Sequence, residues 1–108
     1  MPTTIIYART HTRRNRSELE RHISILKNTY PYAEVVYDYG HGLDFNRSGL
    51  NALIRRISNG EVNKVVAMTR STLMERGYMD FRKICRRNRC KISIHQTSRA
   101  LFLWDLLF

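Results

Sequence analysis

Eight arginines crowd four short stretches of this chain: Arg9, Arg13, Arg14 and Arg16 in residues 9–16, Arg47 in 40–47, Arg70 and Arg76 in 69–76, and Arg99 in 95–99. A guanidinium is a planar fork of donors that keeps its charge at any working pH and fits phosphate oxygens two at a time. Taken singly, each reads as a solvated loop charge. Converging on one rim, they would make an anion-binding edge. A second basic block, Arg82, Lys83, Arg86, Arg87, Arg89 and Lys91, reads either as one solvated helix face or as a surface for backbone phosphates, binding in a salt-dependent and weakly sequence-selective way. Tyr30, Tyr32, Tyr37 and Tyr39 stand near these charges, either as strand-packing aromatics or as rings on which bases stack.

The whole chain agrees with that bias. Its 108 residues hold 19 Lys+Arg against 9 Asp+Glu, a formal net charge of +10, and 15 of those cations are Arg. Such charge points to a polyanionic partner, nucleic acid ahead of an anionic membrane or an acidic protein. An apolar fraction of 43% suffices for a globular core, so the charge rides on a folded body and not on a disordered tail. Cys85 and Cys90 have no second pair to complete a zinc site, so neither a metal nor a cofactor is expected. His22 and His95 read as surface or satisfied core residues. Met1 to Thr4 lack a charged segment followed by a long apolar run, and Leu101 to Phe108 is too short to cross a bilayer. A soluble, cytoplasmic protein with reduced thiols is the expectation.

These side chains need elements to hold them. Ile5-Ile6-Tyr7-Ala8 predicts a strand buried on both faces. Leu19, Ile23 and Leu26 recur at helical spacing behind Ser17, a candidate N-cap, and that helix stops before Pro31. Residues 34–39 predict a second strand, and Gly40-His41-Gly42 a loop. Ser48 is placed as the cap of a second helix, with Leu50, Leu53, Ile54 and Ile57 on its apolar face and Asn59-Gly60 at its end. Val62 to Met68 predicts a third strand, residues 73–88 a third helix, and residues 91–95 a fourth strand near an edge. Alternating strands and helices of this kind give an α/β three-layer sandwich on a mainly parallel four-stranded sheet, as one domain over residues 1–108. Ligands in such sheets bind beyond the carboxyl ends of the strands, where the four arginine-bearing loops lie.

The string Tyr7-Ala8-Arg9-Thr10-His11-Thr12 resembles the Tyr-Ala-Arg-x-Ser-Thr opening of the serine recombinases, the resolvase and invertase family. Leu19-Glu20-Arg21-His22, Asp38-Tyr39-Gly40-His41-Gly42, Asn46-Arg47-Ser48-Gly49-Leu50 and Asn59-Gly60-Glu61-Val62-Asn63-Lys64-Val65-Val66 are similar to further family stretches, so the likeness covers residues 5 to about 95. The resemblance implies a resolvase-like fold and a site where a Ser attacks a DNA phosphodiester while arginines stabilise the transferring phosphoryl group. Arg9, Asp38, Gly42 and Arg47 match positions around that phosphate. The nucleophilic Ser falls on His11, and the family's Asp-Arg-Leu-x-Arg falls on Ser71-Thr72-Leu73-Met74-Glu75, keeping only the Leu. Glu75, where the family has an Arg, would repel phosphate. In that family a long helix and a separate DNA-binding module follow the catalytic domain. None is expected here before Phe108.

The resulting expectation is a catalytically degenerate serine-recombinase-like protein that acts by binding DNA, accessory or regulatory, encoded by a phage or mobile element in a prokaryotic or virus-infected cell. Its phosphate-binding candidates are Arg9, Arg13, Arg14, Arg16, Arg47, Arg70, Arg76, Arg86, Arg87 and Arg89. Two alternatives stand beside it. One is a protein-interaction or inhibitor module, in which Leu101, Phe102, Trp104 and Leu107 meet a second copy or a partner protein unless they cover the chain's own sheet. The other is a still-active strand-transfer enzyme using His11 or a neighbouring Thr, with Arg9 and Arg47 as the other candidate catalytic residues.

Overall fold

The computed structural model describes residues 2–40 and 47–95. Ile5, Ile6, Tyr7 and Ala8 are all buried, the mark of a strand covered on both faces, and β1 (Thr3–Thr10) accordingly runs through the middle of the sheet. Four strands lie in the order β2-β1-β3-β4, every pair parallel, with β2 at Glu34–Tyr39, β3 at Val62–Ala67 and β4 at Lys91–Ile94. Exposed and half-buried residues fill most of β2 and all of β4, the two edges.

Helix α1 (Arg16–Thr29) follows a single 3-10 turn at Arg13–Asn15 and covers one face of the sheet. Strand alternation sends Ile6, Val66 and Met68 to that side, where they pack with Leu26 and Ala33. The opposite face carries Ile5, Tyr7, Val65 and Ala67 against α2 (Ser48–Ser58) and α4 (Tyr78–Arg87), through Leu50, Leu53, Ile57, Phe81 and Cys85. Burial of one such side chain contributes about 1.5–3 kcal/mol, so this larger cluster carries most of the hydrophobic stabilisation. The α/β three-layer sandwich expected from the alternation of patterns is the fold observed.

Three local expectations are corrected. Ser17 lies inside α1, whose cap position is held by Asn15. Residues 73–88 do not form one helix: α3 (Arg70–Leu73) ends after four residues, the backbone turns extended at Met74, and α4 starts only after Gly77. Gly77 has φ +77, a left-handed conformation that glycine adopts without penalty, and it separates the two helices. Ser48 does not cap α2 either. It is the first helical residue, Arg47 stands at the cap position without a side-chain cap bond, and the cap comes from another strand, through Asp38. The apolar tail residues Leu101, Phe102, Trp104 and Leu107 lie outside the described residues, as do Gly42 and Arg99.

Candidate functional site

Parallel strands bring the carboxyl ends of β1, β2 and β3 to one edge, where Arg9, Asp38, Arg47 and the short α3 meet. Asp38, on β2, points away from α1. Its carboxylate accepts from the backbone N–H of Gly49 and of Leu50, both at 2.8 Å, and from the Tyr7 hydroxyl at 2.6 Å. A carboxylate at a helix start satisfies orphan N–H groups and meets the positive end of the helix dipole. The approach requires Gly49: a Cβ there would come within 2.7 Å of the Tyr37 carbonyl and 2.9 Å of both Asp38 oxygens. Burial, and after it the hydrogen bond to Asp38, pushes the Tyr7 hydroxyl far above its ordinary pKa, so it stays a donor.

Arg9 and Arg47 are buried cations. Arg9 donates from Nε to the Thr72 carbonyl (3.2 Å), from Nη1 to Gly40 (2.7 Å) and from Nη2 to Ser71 (2.7 Å). Arg47, only 2% exposed, donates to the carbonyls of Leu73 and Thr72 and to the Tyr7 hydroxyl. Together they take the last carbonyls of α3, groups that a helix end leaves without partners. Desolvation first, and the like charge of Arg47 second, lower the Arg9 pKa, against the opposing pull of Tyr7, Glu75 and Asp38. Both arginines therefore hold the loop after β3 in place.

Beside this network opens a cleft of about 490 Å³. Arg9 and Arg21 line it, with His11 and His22 and the hydroxyl-bearing Thr69, Ser71 and Thr72. Those hydroxyls are linked, Thr69 to Thr72 at 2.8 Å and to Ser71 at 3.1 Å, and Thr69 also accepts from the Thr72 N–H as the cap of α3. His22 Nε2 faces Glu18 at 3.7 Å, while its Nδ1 is buried without a hydrogen-bond partner. Desolvation lowers the His22 pKa; Glu18 raises it less. Among the described residues no group of His, Cys, Asp and Glu could hold a metal.

The remaining candidates fall into two places. Arg13, Arg14 and Arg16 are exposed at and just before the start of α1; Arg13 lies over the Tyr39 ring at 5.7 Å, and Arg16 pairs with Glu20 at 3.1 Å. Arg76 is exposed between α3 and α4, whereas Arg70 is half-buried and stacks over Tyr78 at 3.9 Å. Since α4 runs back from the end of β3 to the start of β4, Arg86, Arg87 and Arg89 sit at the opposite edge of the sheet, all exposed. His95 is exposed at the end of β4. Arg21, Glu18, Thr69 and Ser71 were not singled out from the sequence as lining residues. Their signal was positional: Glu18, Arg21 and His22 face one way on a helix, and Thr69 and Ser71 follow the last residue of a central strand.

No family model matches the chain. A protein of Acanthamoeba polyphaga mimivirus described as "Putative resolvase R771" is 32% identical over 75 residues, 69% of this chain and 40% of the relative, so the chain spans well under half of that relative's length. A serine recombinase from Sulfolobus solfataricus superposes with a TM-score of 0.85 at 26% identity, over 99% of this chain and 79% of that one. The first reading frame of transposon ISC1904 from Sulfolobus solfataricus P2 gives a TM-score of 0.82 at 27% identity, over 96% and 77%. By these likenesses the chain belongs to the serine recombinase (resolvase/invertase) family, in the fold of its catalytic domain.

Proposed function

We propose that this chain binds DNA as an accessory or regulatory relative of the recombinases of mobile elements, without performing strand exchange. The observation that carries the reading is the division of its arginines into two kinds. Arg9 and Arg47 are drawn inward onto main-chain carbonyls, while Arg13, Arg14, Arg16, Arg76, Arg86, Arg87 and Arg89 remain exposed on a chain of net charge +10. Exposed guanidinium groups neutralise phosphates and release counterions, which supplies sequence-independent affinity. Arg9 still contributes at the cleft: three of its donors are engaged, and a guanidinium has five.

The chemistry argues against strand transfer. His11 takes the place of the attacking Ser, and the loop after β3 offers Ser71, Thr72 and Glu75 where the family places an acid and two cations. Hydroxyls and a carboxylate at the positions of the acid and the two clamping cations give little stabilisation to a phosphoryl group in flight. One observation favours the enzyme reading: His11 lines the same cleft as Arg9, Arg21 and the linked hydroxyls.

Charge reversal tests the location. With labelled duplex DNA, Arg13→Glu/Arg14→Glu and, separately, Arg86→Glu/Arg87→Glu/Arg89→Glu are each expected to weaken binding by about tenfold or more, without changing the circular dichroism spectrum. Unchanged affinity in both variants overturns the reading.

A further inference from the structure

We propose that the groove between α1 and the edge strand β2 receives an unpaired base of single-stranded nucleic acid, stacked on Tyr37. This rests on the nucleic-acid reading above and narrows its substrate.

Alternation along β2 turns Tyr37 and Tyr39 towards α1, while Asp38 points the other way into its buried network. Among the described residues no strand pairs with the outer side of β2. Tyr37 is therefore 53% exposed, one of two large hydrophobic side chains exposed to that degree among the described residues. Its ring meets the Tyr39 ring edge-on, with centroids 5.8 Å apart at 76°, which fixes the orientation of both. Beside them lies a groove of about 130 Å³, walled by Leu19 and Ile23 of α1 and rimmed by Arg16. Arg13 stands over the Tyr39 ring at 5.7 Å. Apolar floor, aromatic wall and guanidinium rim are the parts of a stacking platform: a ring for the base, cations for the phosphates on either side of it.

Charge selects the occupant. Arg13 and Arg16 leave this corner cationic; Glu20, also at the groove, is held by Arg16 at 3.1 Å. The groove is too small for a base pair, and a duplex keeps its base faces stacked inside, so only an unpaired base reaches Tyr37.

The test uses the 108-residue chain and three labelled probes of equal length: an oligothymidine, its abasic counterpart with the same phosphates, and a duplex. Anisotropy titrations are expected to show the oligothymidine bound at least about fivefold more tightly than the abasic strand. Tyr37→Ala is expected to weaken oligothymidine binding by about 5- to 100-fold while leaving the duplex within about twofold; Tyr37→Phe, which keeps the ring, retains the wild-type preference. Equal affinity for oligothymidine and abasic strand, or a Tyr37→Ala loss shared by the duplex, overturns the stacking site while leaving DNA binding standing. A chain that binds none of the probes overturns both. Unfolding midpoints of the variants, expected to match wild type, keep a folding defect from counting as either.

Discussion

Removal of the Asp38 carboxylate tests whether one side chain ties β1, β2 and α2 together at the cleft edge. In Asp38→Ala, the Gly49 and Leu50 N–H groups lose acceptors at 2.8 Å, and the fully buried Tyr7 hydroxyl loses its acceptor at 2.6 Å. Loss of a helix cap costs about 0.5–2 kcal/mol, and a buried O–H left without an acceptor about 1–3 kcal/mol. The buried guanidinium group of Arg9 also loses a nearby negative charge. Taken together, about 3 kcal/mol is expected. That is a large part of the 5–15 kcal/mol typical of a domain, and equals a fall in melting temperature of about 12–24 °C. Urea unfolding followed by circular dichroism measures it. A double-mutant cycle with Tyr7→Phe separates the terms, because Tyr7→Phe removes the orphaned hydroxyl and a coupling of about 1–2 kcal/mol should appear. A loss under about 1 kcal/mol for Asp38→Ala, or additive single variants, would refute the reasoning.

Three further outcomes follow from the same geometry. Gly49→Ala should destabilise by about 1–2 kcal/mol, since the 2.7 Å clash with the Tyr37 carbonyl outweighs the helix preference for alanine; a stabilised variant in urea would contradict this. His22 has a folded pKa below its ordinary 6.5, so the unfolded chain binds more protons as pH falls through that value, and stability should drop on acidification. The drop in urea midpoint between pH of about 7.5 and about 5.5 should be smaller in His22→Gln, and an equal drop would count against it. Cys85 and Cys90 are 1% and 5% exposed, so a thiol reagent should label the native chain about 100-fold or more slowly than the unfolded one; rapid native labelling would show the α4–β4 corner opening.

Most of the fold was legible because its elements are decided locally. Ile5 to Ala8 and Val65 to Met68 read as buried strands from a continuous apolar run, and β2 was placed at its observed bounds, 34–39. What the chain hid was tertiary. Nothing near residue 73 says that α3 stops there, because its carbonyls are taken by Arg9 and Arg47, some 62 and 26 residues away along the chain; Gly77 was the one local signal. The cap on α2 is likewise remote, so the serine beside it drew the assignment that Asp38 fills. Of the candidate site, the convergence of Arg9 and Arg47 was legible, but their burial was not. An arginine beside a strand end looks the same in sequence whether it meets water or carbonyls.

No helix of the described residues is long and apolar enough to cross a membrane, and the described surface is rich in exposed arginine. Whether that surface serves binding alone is the central question. The direct measurement is one incubation of the chain with labelled duplex DNA, read by anisotropy at about 50 mM and about 200 mM salt, with a parallel aliquot boiled in detergent and run on a denaturing gel. With about four phosphates neutralised, affinity should fall about 150-fold between the two salts, and the gel should show no protein-linked DNA. A covalent adduct abolished by His11→Ala would contradict the loss of strand transfer, and absence of binding at the lower salt would contradict the DNA partner.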